Sequence, residues 1–449
     1  AGDFTLVMVA VSAVGAVVSM DAPQGTFAAG MIVVDPFAAF FKFVISMAAL
    51  VVAWLSTRTR ENEEVPTAGP VSWALFGLSL LGMDLMVSAI HVLTAWAGFQ
   101  LATMTSALWI ATRRDAAFAT QAGLTTLLEA AAASALMTLD YATLGGKLAP
   151  ALAAPGGKAV MFAALALVIV GLGQKLAIVP WQQSRVDLAE SSALPVSAWL
   201  QVGSTIAGLA MLARLLRTAL SGASGGDGWA TLPGVEWPAL LSVIAMVTMT
   251  VGNAAALRET NLKRLLAWLS VAQTGYLLAG LAALSDEGLG AVLFHSVAYA
   301  LMTFGAMAAI APVMEAAGSD DIEVLRGLAR RRGGARVAAV AIALFFLALS
   351  AVPPLAGYTG RVLILAAVIK AGGYALALVA ALSSGIGLLC CTRVVVTLLD
   401  RPVDADETVP LDFEVVVLAG LLMAGTIGVG LWPGPLTSFV ERSVVFFGG

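Results

Sequence analysis

The sequence predicts an all-α polytopic membrane protein, and composition and hydropathy pattern together indicate this class. Of the 449 residues, 60% are hydrophobic and 12% are charged, about half the roughly 25% charged share of soluble domains. Apolar runs of about 18 residues or more recur along the chain, and runs of this length are typical of transmembrane helices. The two observations exclude an ordinary soluble protein, and we expect a single transmembrane domain over residues 1–449.

Windows of about 20 residues predict thirteen transmembrane helices. Pro353 and Pro354 interrupt the longest of them, because proline lacks the backbone donor that a continuous helix needs. We therefore expect that helix to be discontinuous, and we expect a second discontinuous helix around Lys175–Pro195. The predicted spans are 4–20, 36–56, 71–89, 90–111, 116–138, 158–179, 195–217, 237–257, 263–284, 288–316, 335–371, 373–397 and 412–432.

The two halves of the chain share a loose internal similarity. Lys175 precedes Pro180 in the first half, and Arg361 follows Pro353-Pro354 in the second half. Broken helices at matching places in two halves are typical of transporters built from inverted repeats. We expect N-terminal helices over 1–89, a first repeat over 90–217, a second repeat over 237–397 and a C-terminal helix over 412–432.

The basic residues predict the orientation of the chain in the membrane. Alternating the loops between the two sides places most arginines on one side, including Arg185 and the cluster between Arg326 and Arg336. By the positive-inside rule this side is cytoplasmic. Arg214 and Arg217 then lie near a helix end on the opposite side. We therefore expect a cytoplasmic N-terminus and an external C-terminus.

Charge and cysteine content exclude several function classes. The net charge is -4, and the sequence contains no basic tail, so nucleic acid is not an expected partner. The only cysteines are Cys390 and Cys391, and the only histidines are His91 and His295. No haem, iron–sulfur or zinc motif can be built from these residues, and we expect neither a metal nor a cofactor in this chain.

Ionisable residues inside the predicted spans are the candidate functional residues, since each costs about 2.5–3.5 kcal/mol on insertion scales. Lys175 lies beside an expected break, although a lysine near a span end can also snorkel to the interface. Glu129 lies mid-span, where a role in proton movement and a simple interhelical hydrogen bond are both open. His295 could titrate near neutrality, but a lone histidine among apolar neighbours is more often a packing residue. Arg361 stays protonated and cannot relay a proton.

Three motifs give the sequence a family resemblance. Asp35-Pro36-Phe37 resembles a family motif DPF, the stretch KRLLAWLS from Lys263 resembles KRLLAYSS, and VPPLAGY from Val352 resembles IPPLAGF. These motifs belong to the antiporter-like membrane subunits of respiratory complex I, and the likeness is greatest to subunit N of bacterial NADH-quinone oxidoreductase. It covers nearly the whole chain from about Val33.

The resemblance implies a non-catalytic subunit of a proton-translocating NADH:quinone oxidoreductase in the bacterial inner (cytoplasmic) membrane. The expected partners are the other membrane-arm subunits and the lipid bilayer. FMN, iron–sulfur clusters and quinone are then expected in the partner subunits. Two alternatives stay open: an ion-translocating subunit of a membrane-bound hydrogenase or a multisubunit cation/proton antiporter, and a structural spacer that has lost transport.

The resemblance also locates the family's proton path in this sequence. The candidate path residues are Lys175, Lys263, Glu129 and His295, and with Gln100 in place of the family's glutamate we expect Glu129 to pair with Lys175. Five other positions depart from the family's titratable residues. Glutamine cannot carry a proton as charge, and arginine cannot release one, so we expect a degenerate path. The altered positions are Gln100, Gln182, Thr205, Gln273 and Arg361.

Overall fold

The chain folds as an α-helical membrane protein. The computed structural model describes residues 2–20, 22–58, 69–111, 170–218, 229, 237–401 and 413–444. Within these residues, eight helices are long and apolar enough to cross a membrane, or nine if one bent pair forms a single span. The predicted span 116–138 and most of the predicted span 158–179 lie outside the described residues.

The N-terminal part consists of four helices with a β-hairpin between the first two. The side chain of Asp35 accepts a hydrogen bond from the backbone N–H of Ala38 at 2.7 Å, and this N-cap starts the second helix. The hairpin was not predicted, because strands of three residues are too short to show an alternation of apolar and polar residues. The elements are α1 (Gly2–Met20), β1 (Gly25–Phe27), β2 (Ile32–Val34), α2 (Pro36–Arg58), α3 (Pro70–Ser88) and α4 (Val92–Ala111).

The middle of the chain supplies the core of the molecule. Of the most apolar windows, 100% is buried in the helix Leu194–Thr218 and 94% in the helix Leu262–Ala282. Both are therefore surrounded by other helices rather than by lipid. The elements are the helical residues 170–176 (α5), α6 (Gln182–Ser191), α7 (Leu194–Thr218), α8 (Trp237–Ala256), α9 (Leu262–Ala282) and α10 (Asp286–Ala317).

The C-terminal part packs against this core and exposes more apolar surface. Only 11% of the most apolar window of the helix Phe413–Leu431 is buried, so most of this helix is available to lipid or to a neighbouring subunit. Two short 3₁₀ segments, Ile322–Leu325 and Leu328–Arg330, precede the helices of this part. The helices are α11 (Gly334–Leu349), α12 (Ala356–Lys370), α13 (Tyr374–Leu399), α14 (Phe413–Leu431) and α15 (Gly434–Ser443).

Two interruptions of the helices have the same backbone structure. The first break, residues 177–181, separates α5 from α6, and the second break, residues 350–355, separates α11 from α12 where Pro353 and Pro354 predicted it. Ala177 has φ 54° and Ala351, 174 positions later, has φ 62°. The hydrogen bond from Ile178 N to Gly173 O (2.9 Å) matches that from Val352 N to Leu347 O (3.0 Å).

Arg185 lies in a short helix, whereas the charge pattern placed it in a loop between two spans. The chain after the first break forms the short helix α6, and Arg185 lies on its buried side with 6% of its surface exposed. Asp187 and Glu190 lie on the exposed side of the same helix. The helix was not predicted, because the positive-inside rule counts basic residues per loop and carries no information on the structure within a loop. The predicted cytoplasmic side of Arg185 stays a prediction.

Candidate functional site at the two helix breaks

Lys175 is the titratable side chain at the first break. It lies in α5, its side chain is buried, and its Nζ donates a hydrogen bond to Thr103 Oγ1 at 3.3 Å. The ammonium also lies 5.7 Å from the ring centroid of Phe99, within the range of a cation–π interaction. None of the described carboxylates forms an ion pair with Lys175. In this part of the structure the ammonium is held by one hydroxyl and one aromatic face of α4.

A second cation, Arg185, lies beside Lys175. Its guanidinium donates hydrogen bonds to the backbone carbonyls of Lys175 and Leu200 and to Thr205 Oγ1, the last at 3.4 Å. Thr205, one of the altered family positions, is therefore a partner of this arginine. The first break thus contains a permanent positive charge that the sequence analysis did not place there.

A small pocket lies beside Lys175 and Arg185. Its volume is about 50 Å³, and Thr103, Ser184 and Ser204 contribute hydroxyl groups to its lining, together with Lys175 and Arg185. A cavity needs about 10–15 Å³ of such volume and several polar partners to hold a water molecule. The pocket can therefore hydrate Lys175 locally.

Arg361 lies in the second turn of α12, next to the second break, and is 4% exposed. One guanidinium nitrogen donates to the carbonyl of Leu349 and another donates to Ser384 Oγ at 3.1 Å. The guanidinium also lies 4.1 Å from the ring centroid of Tyr276, a cation–π contact. The arginine therefore connects α11, α9 and α13 to its own helix, α12.

His295 and Gln273 form a pair next to Arg361. Gln273 Nε2 donates to the carbonyl of Leu349 at 3.0 Å, so Gln273 Oε1 accepts the hydrogen bond of 3.0 Å from His295 Nε2–H. This assigns the proton to Nε2 and leaves Nδ1 as the acceptor nitrogen. Nδ1 has no hydrogen-bond partner among the described residues, and a Cβ at Gly360 would overlap it. The histidine is packed tightly and linked to one neutral amide.

The remaining candidate residues are Lys263, Gln100, Gln182 and Glu129. Lys263, at the start of α9, forms an ion pair with Asp320 at 2.9 Å and donates to the carbonyl of Ser192 at 3.5 Å. Gln100 is buried in α4, and Gln182 begins α6. Glu129 lies outside the described residues, so its pairing with Lys175 stays a prediction.

A buried ion pair between α2 and α7 escaped the sequence analysis. Arg214 NH1 lies 2.8 Å from Asp35 Oδ2, and NH2 donates to Oδ1 at 3.0 Å. The Arg214 Nε–H donates to the carbonyl of Val87 at 3.2 Å. The signal was an ionisable residue inside the last turns of an apolar span, but the sequence predicted only that Arg214 lies near a helix end.

Arg264 holds the exposed side of α6. Its NH1 lies 3.1 Å from Asp187 Oδ1 and 2.8 Å from Glu190 Oε2, and its Nε lies 3.0 Å from Glu259 Oε2. One cation thus joins three carboxylates from two parts of the chain. The network fixes α6 against the start of α9.

Comparison with known proteins decides the family. A family model described as NADH:quinone oxidoreductase/Mrp antiporter, TM, matches residues 89–387, which include both breaks. NADH-quinone oxidoreductase subunit N of Anaeromyxobacter sp. (strain Fw109-5) is 34% identical over 449 aligned residues, covering 94% of this chain and 86% of the relative. The chain belongs to the subunit N family. The resemblance seen in the sequence motifs is thereby confirmed.

Other relatives of the subunit N family agree with this assignment. NADH-quinone oxidoreductase subunit N 2 of Sorangium cellulosum (strain So ce56) is 32% identical over 444 residues, with 94% of this chain and 86% of the relative covered. A chain in the structure of respiratory complex I from Thermus thermophilus with bound aureothin has the same fold, with a TM-score of 0.78, 24% identity and coverage of 98% and 94%. A chain in the Mrp complex from Dietzia sp. DQ12-45-1b gives a TM-score of 0.81 at 18% identity, covering 98% and 91%. The last two comparisons describe the fold alone.

Proposed function

We propose that this chain is an antiporter-like membrane-arm subunit of a complex I-type enzyme in the bacterial inner membrane, and that it does not complete a proton path of its own. The observation that carries the proposal is the buried guanidinium of Arg361 at the second break. An arginine remains protonated in proteins. It contributes a fixed charge where a relay needs a group that binds and releases a proton.

The surroundings of Arg361 support the same conclusion. His295 lies next to Gly360 in α12, and its Nε2–H is bound to the amide oxygen of Gln273. That amide in turn donates to the carbonyl of Leu349. Neither the amide nor the carbonyl takes up a proton at working pH, so this chain of hydrogen bonds does not relay one.

The first break keeps a titratable group but surrounds it with neutral and cationic groups. Lys175 donates to the hydroxyl of Thr103, and Arg185 donates to the carbonyl of Lys175 itself. Arg185 adds a fixed positive charge next to Lys175, and its guanidinium cannot release a proton. The pocket of about 50 Å³ has room for water beside Lys175, and no residue of the second break lines it.

The proposal includes the assembly and topology of the subunit. Thirteen spans, a cytoplasmic N-terminus and two inverted repeats are part of it, and the matching backbone of the two breaks, 174 residues apart at Ala177 and Ala351, supports the repeats. The other membrane-arm subunits are the proposed partners. FMN, iron–sulfur clusters and quinone belong to partner subunits in this proposal.

The decisive experiment measures the proton-to-electron ratio of the reconstituted complex with native chain and with Lys175→Ala. We expect the same ratio in both, with electron transfer maintained. Lys370→Ala is the matched control, because Lys370 forms an exposed ion pair with Glu287 far along α12. A lower ratio in Lys175→Ala alone would show that the subunit conducts protons and would overturn the proposal.

A further inference from the structure

The two breaks leave equivalent backbone carbonyls to be satisfied. The carbonyls of Lys175 and Leu349 lie 174 positions apart, at the ends of α5 and α11. The last carbonyls of a helix have no partner within that helix. Inside a membrane protein an unsatisfied carbonyl is costly, because no bulk water replaces the missing donor.

A buried arginine satisfies each of these carbonyls. Arg185 donates to Lys175 O, and Arg361 donates to Leu349 O. The two arginines do not occupy equivalent positions in the repeat, since Arg185 follows its acceptor by 10 residues and Arg361 follows its acceptor by 12. Both breaks therefore have an arginine that donates to the helix-end carbonyl, although the two arginines occupy different positions in the repeat. This indicates that both breaks require a donor for that carbonyl.

Each guanidinium also reaches a third helix. Arg185 donates to Leu200 O and lies 3.4 Å from Thr205 Oγ1, both in α7. Arg361 donates to Ser384 Oγ in α13 at 3.1 Å. Arginine suits this task, because its planar fork carries five donors in fixed directions. The ammonium of lysine places its three donors on a single nitrogen, so it does not span separated acceptors as the guanidinium fork does.

We propose that Arg185 and Arg361 are positioning residues. Each holds the two halves of one broken helix together. Each guanidinium joins the half-helix before a break to the half-helix after it and to one neighbouring helix. At the first break the consequence is specific: Arg185 keeps α6 seated over the pocket beside Lys175 and limits access to that pocket. This role is independent of whether Lys175 takes part in proton transfer.

Thiol labelling in native membranes tests the role of Arg185. Ser184 lines the pocket and adjoins Arg185, so Ser184→Cys is introduced into a chain in which Cys390 and Cys391 are replaced by alanine. In this background, Arg185→Gln should raise the rate of modification by a small water-soluble thiol reagent about tenfold or more, since a hydrogen bond from a charged donor shifts an equilibrium by about that factor. Arg185→Lys should give a smaller rise.

Arg214→Gln is the matched control, because it removes an arginine that is equally buried, at 1% exposure, but lies at the pair with Asp35. This variant should leave the labelling rate at Ser184→Cys unchanged. An unchanged rate in Arg185→Gln would overturn the proposal, and so would an equal rise in Arg214→Gln, which would indicate general loosening. If Arg185→Gln does not accumulate, Arg185→Lys decides: native-like labelling overturns the proposal, and faster labelling supports it. The proton-to-electron ratio plays no part in this test.

Discussion

The first and second breaks share a backbone and differ in their side chains. Ala177 and Ala351 have the same left-handed conformation, and the carbonyls of Lys175 and Leu349 each accept from an arginine. Only the first break has a lysine at this position. The comparison teaches that the fold requires a hydrogen-bond donor for the helix-end carbonyl at both breaks. The fold does not require a titratable side chain at this position.

The two breaks also differ in how tightly they are packed. At the second break, Gly357 lies directly against the carbonyl of Ala348, and Gly360 lies against His295. At the first break, a pocket of about 50 Å³ remains beside Lys175. The second break is therefore closely packed at these two glycines, and the first has space for water beside Lys175.

The largest expected effect comes from this difference in packing. Gly357→Ala places a Cβ onto the carbonyl oxygen of Ala348, and this backbone atom cannot move aside. We expect a loss of about 3 kcal/mol or more in the free energy of unfolding, seen as a lower unfolding temperature in detergent. Gln183→Ala is the control, because Gln183 lies at the equivalent position of the first break, where its amide only contacts Asp187. A native-like unfolding temperature for Gly357→Ala would contradict the packing difference.

A smaller effect concerns the carbonyl of Leu349, which has two donors. Arg361→Gln and Gln273→Leu each remove one of them, and each should lower the free energy of unfolding by about 1–3 kcal/mol. The double variant should lose more than the sum, because only then is the carbonyl left without either donor. A double-mutant cycle from unfolding temperatures measures this coupling, and simple additivity would contradict the shared role.

The surface anchors of the two broken helices should matter less. Arg264 binds three carboxylates around α6, while Arg326 binds Glu323 and Asp400 near the start of α11. We expect Arg264→Gln to cost about 1 kcal/mol and Arg326→Gln to cost less, because its pairs are more exposed. High salt should reduce the difference. A larger effect from Arg326→Gln would reverse the order proposed for the two anchors.

The smallest expected effect is a pH dependence of the ion pair before the start of α11. Arg326 lowers the pKa of Glu323 through a hydrogen bond, with NH2 2.9 Å from Oε1. A lowered carboxyl pKa stabilises the folded state above the ordinary pKa, and this contribution is lost as the pH falls through the lowered value. Glu323→Gln should therefore show a slightly smaller loss of thermal stability on acidification than the native chain. Identical acid profiles would contradict the assignment.

The sequence predicted much of the fold because the fold depends on features that a single sequence displays. Long apolar runs located helices such as 36–56, observed as Pro36–Arg58, and 263–284, observed as Leu262–Ala282. Pro353 and Pro354 located the second break. The short helix α6 and the β-hairpin were missed, because each has too few residues to show a period.

The candidate site was predictable in its residues but not in its contacts. The sequence marked Arg361, His295 and Gln273 as altered or candidate positions, and the structure joins all three around Leu349. Their partners lie on other helices, so sequence spacing does not reveal them. Arg185 was missed for the same reason, since two of its three acceptors are backbone carbonyls that leave no mark on the sequence.

The anchoring of α6 has a consequence for the order in which the chain is built. Arg185 meets its acceptor at Lys175 only 10 residues away, so this contact can form as soon as α6 leaves the ribosome. Arg264 follows Asp187 by 77 residues, and α7 and α8 are synthesised before it. In a nascent chain that ends before Arg264, the buried contact between Arg185 and the carbonyl of Lys175 can therefore form. The surface ion pairs that hold α6 cannot form yet.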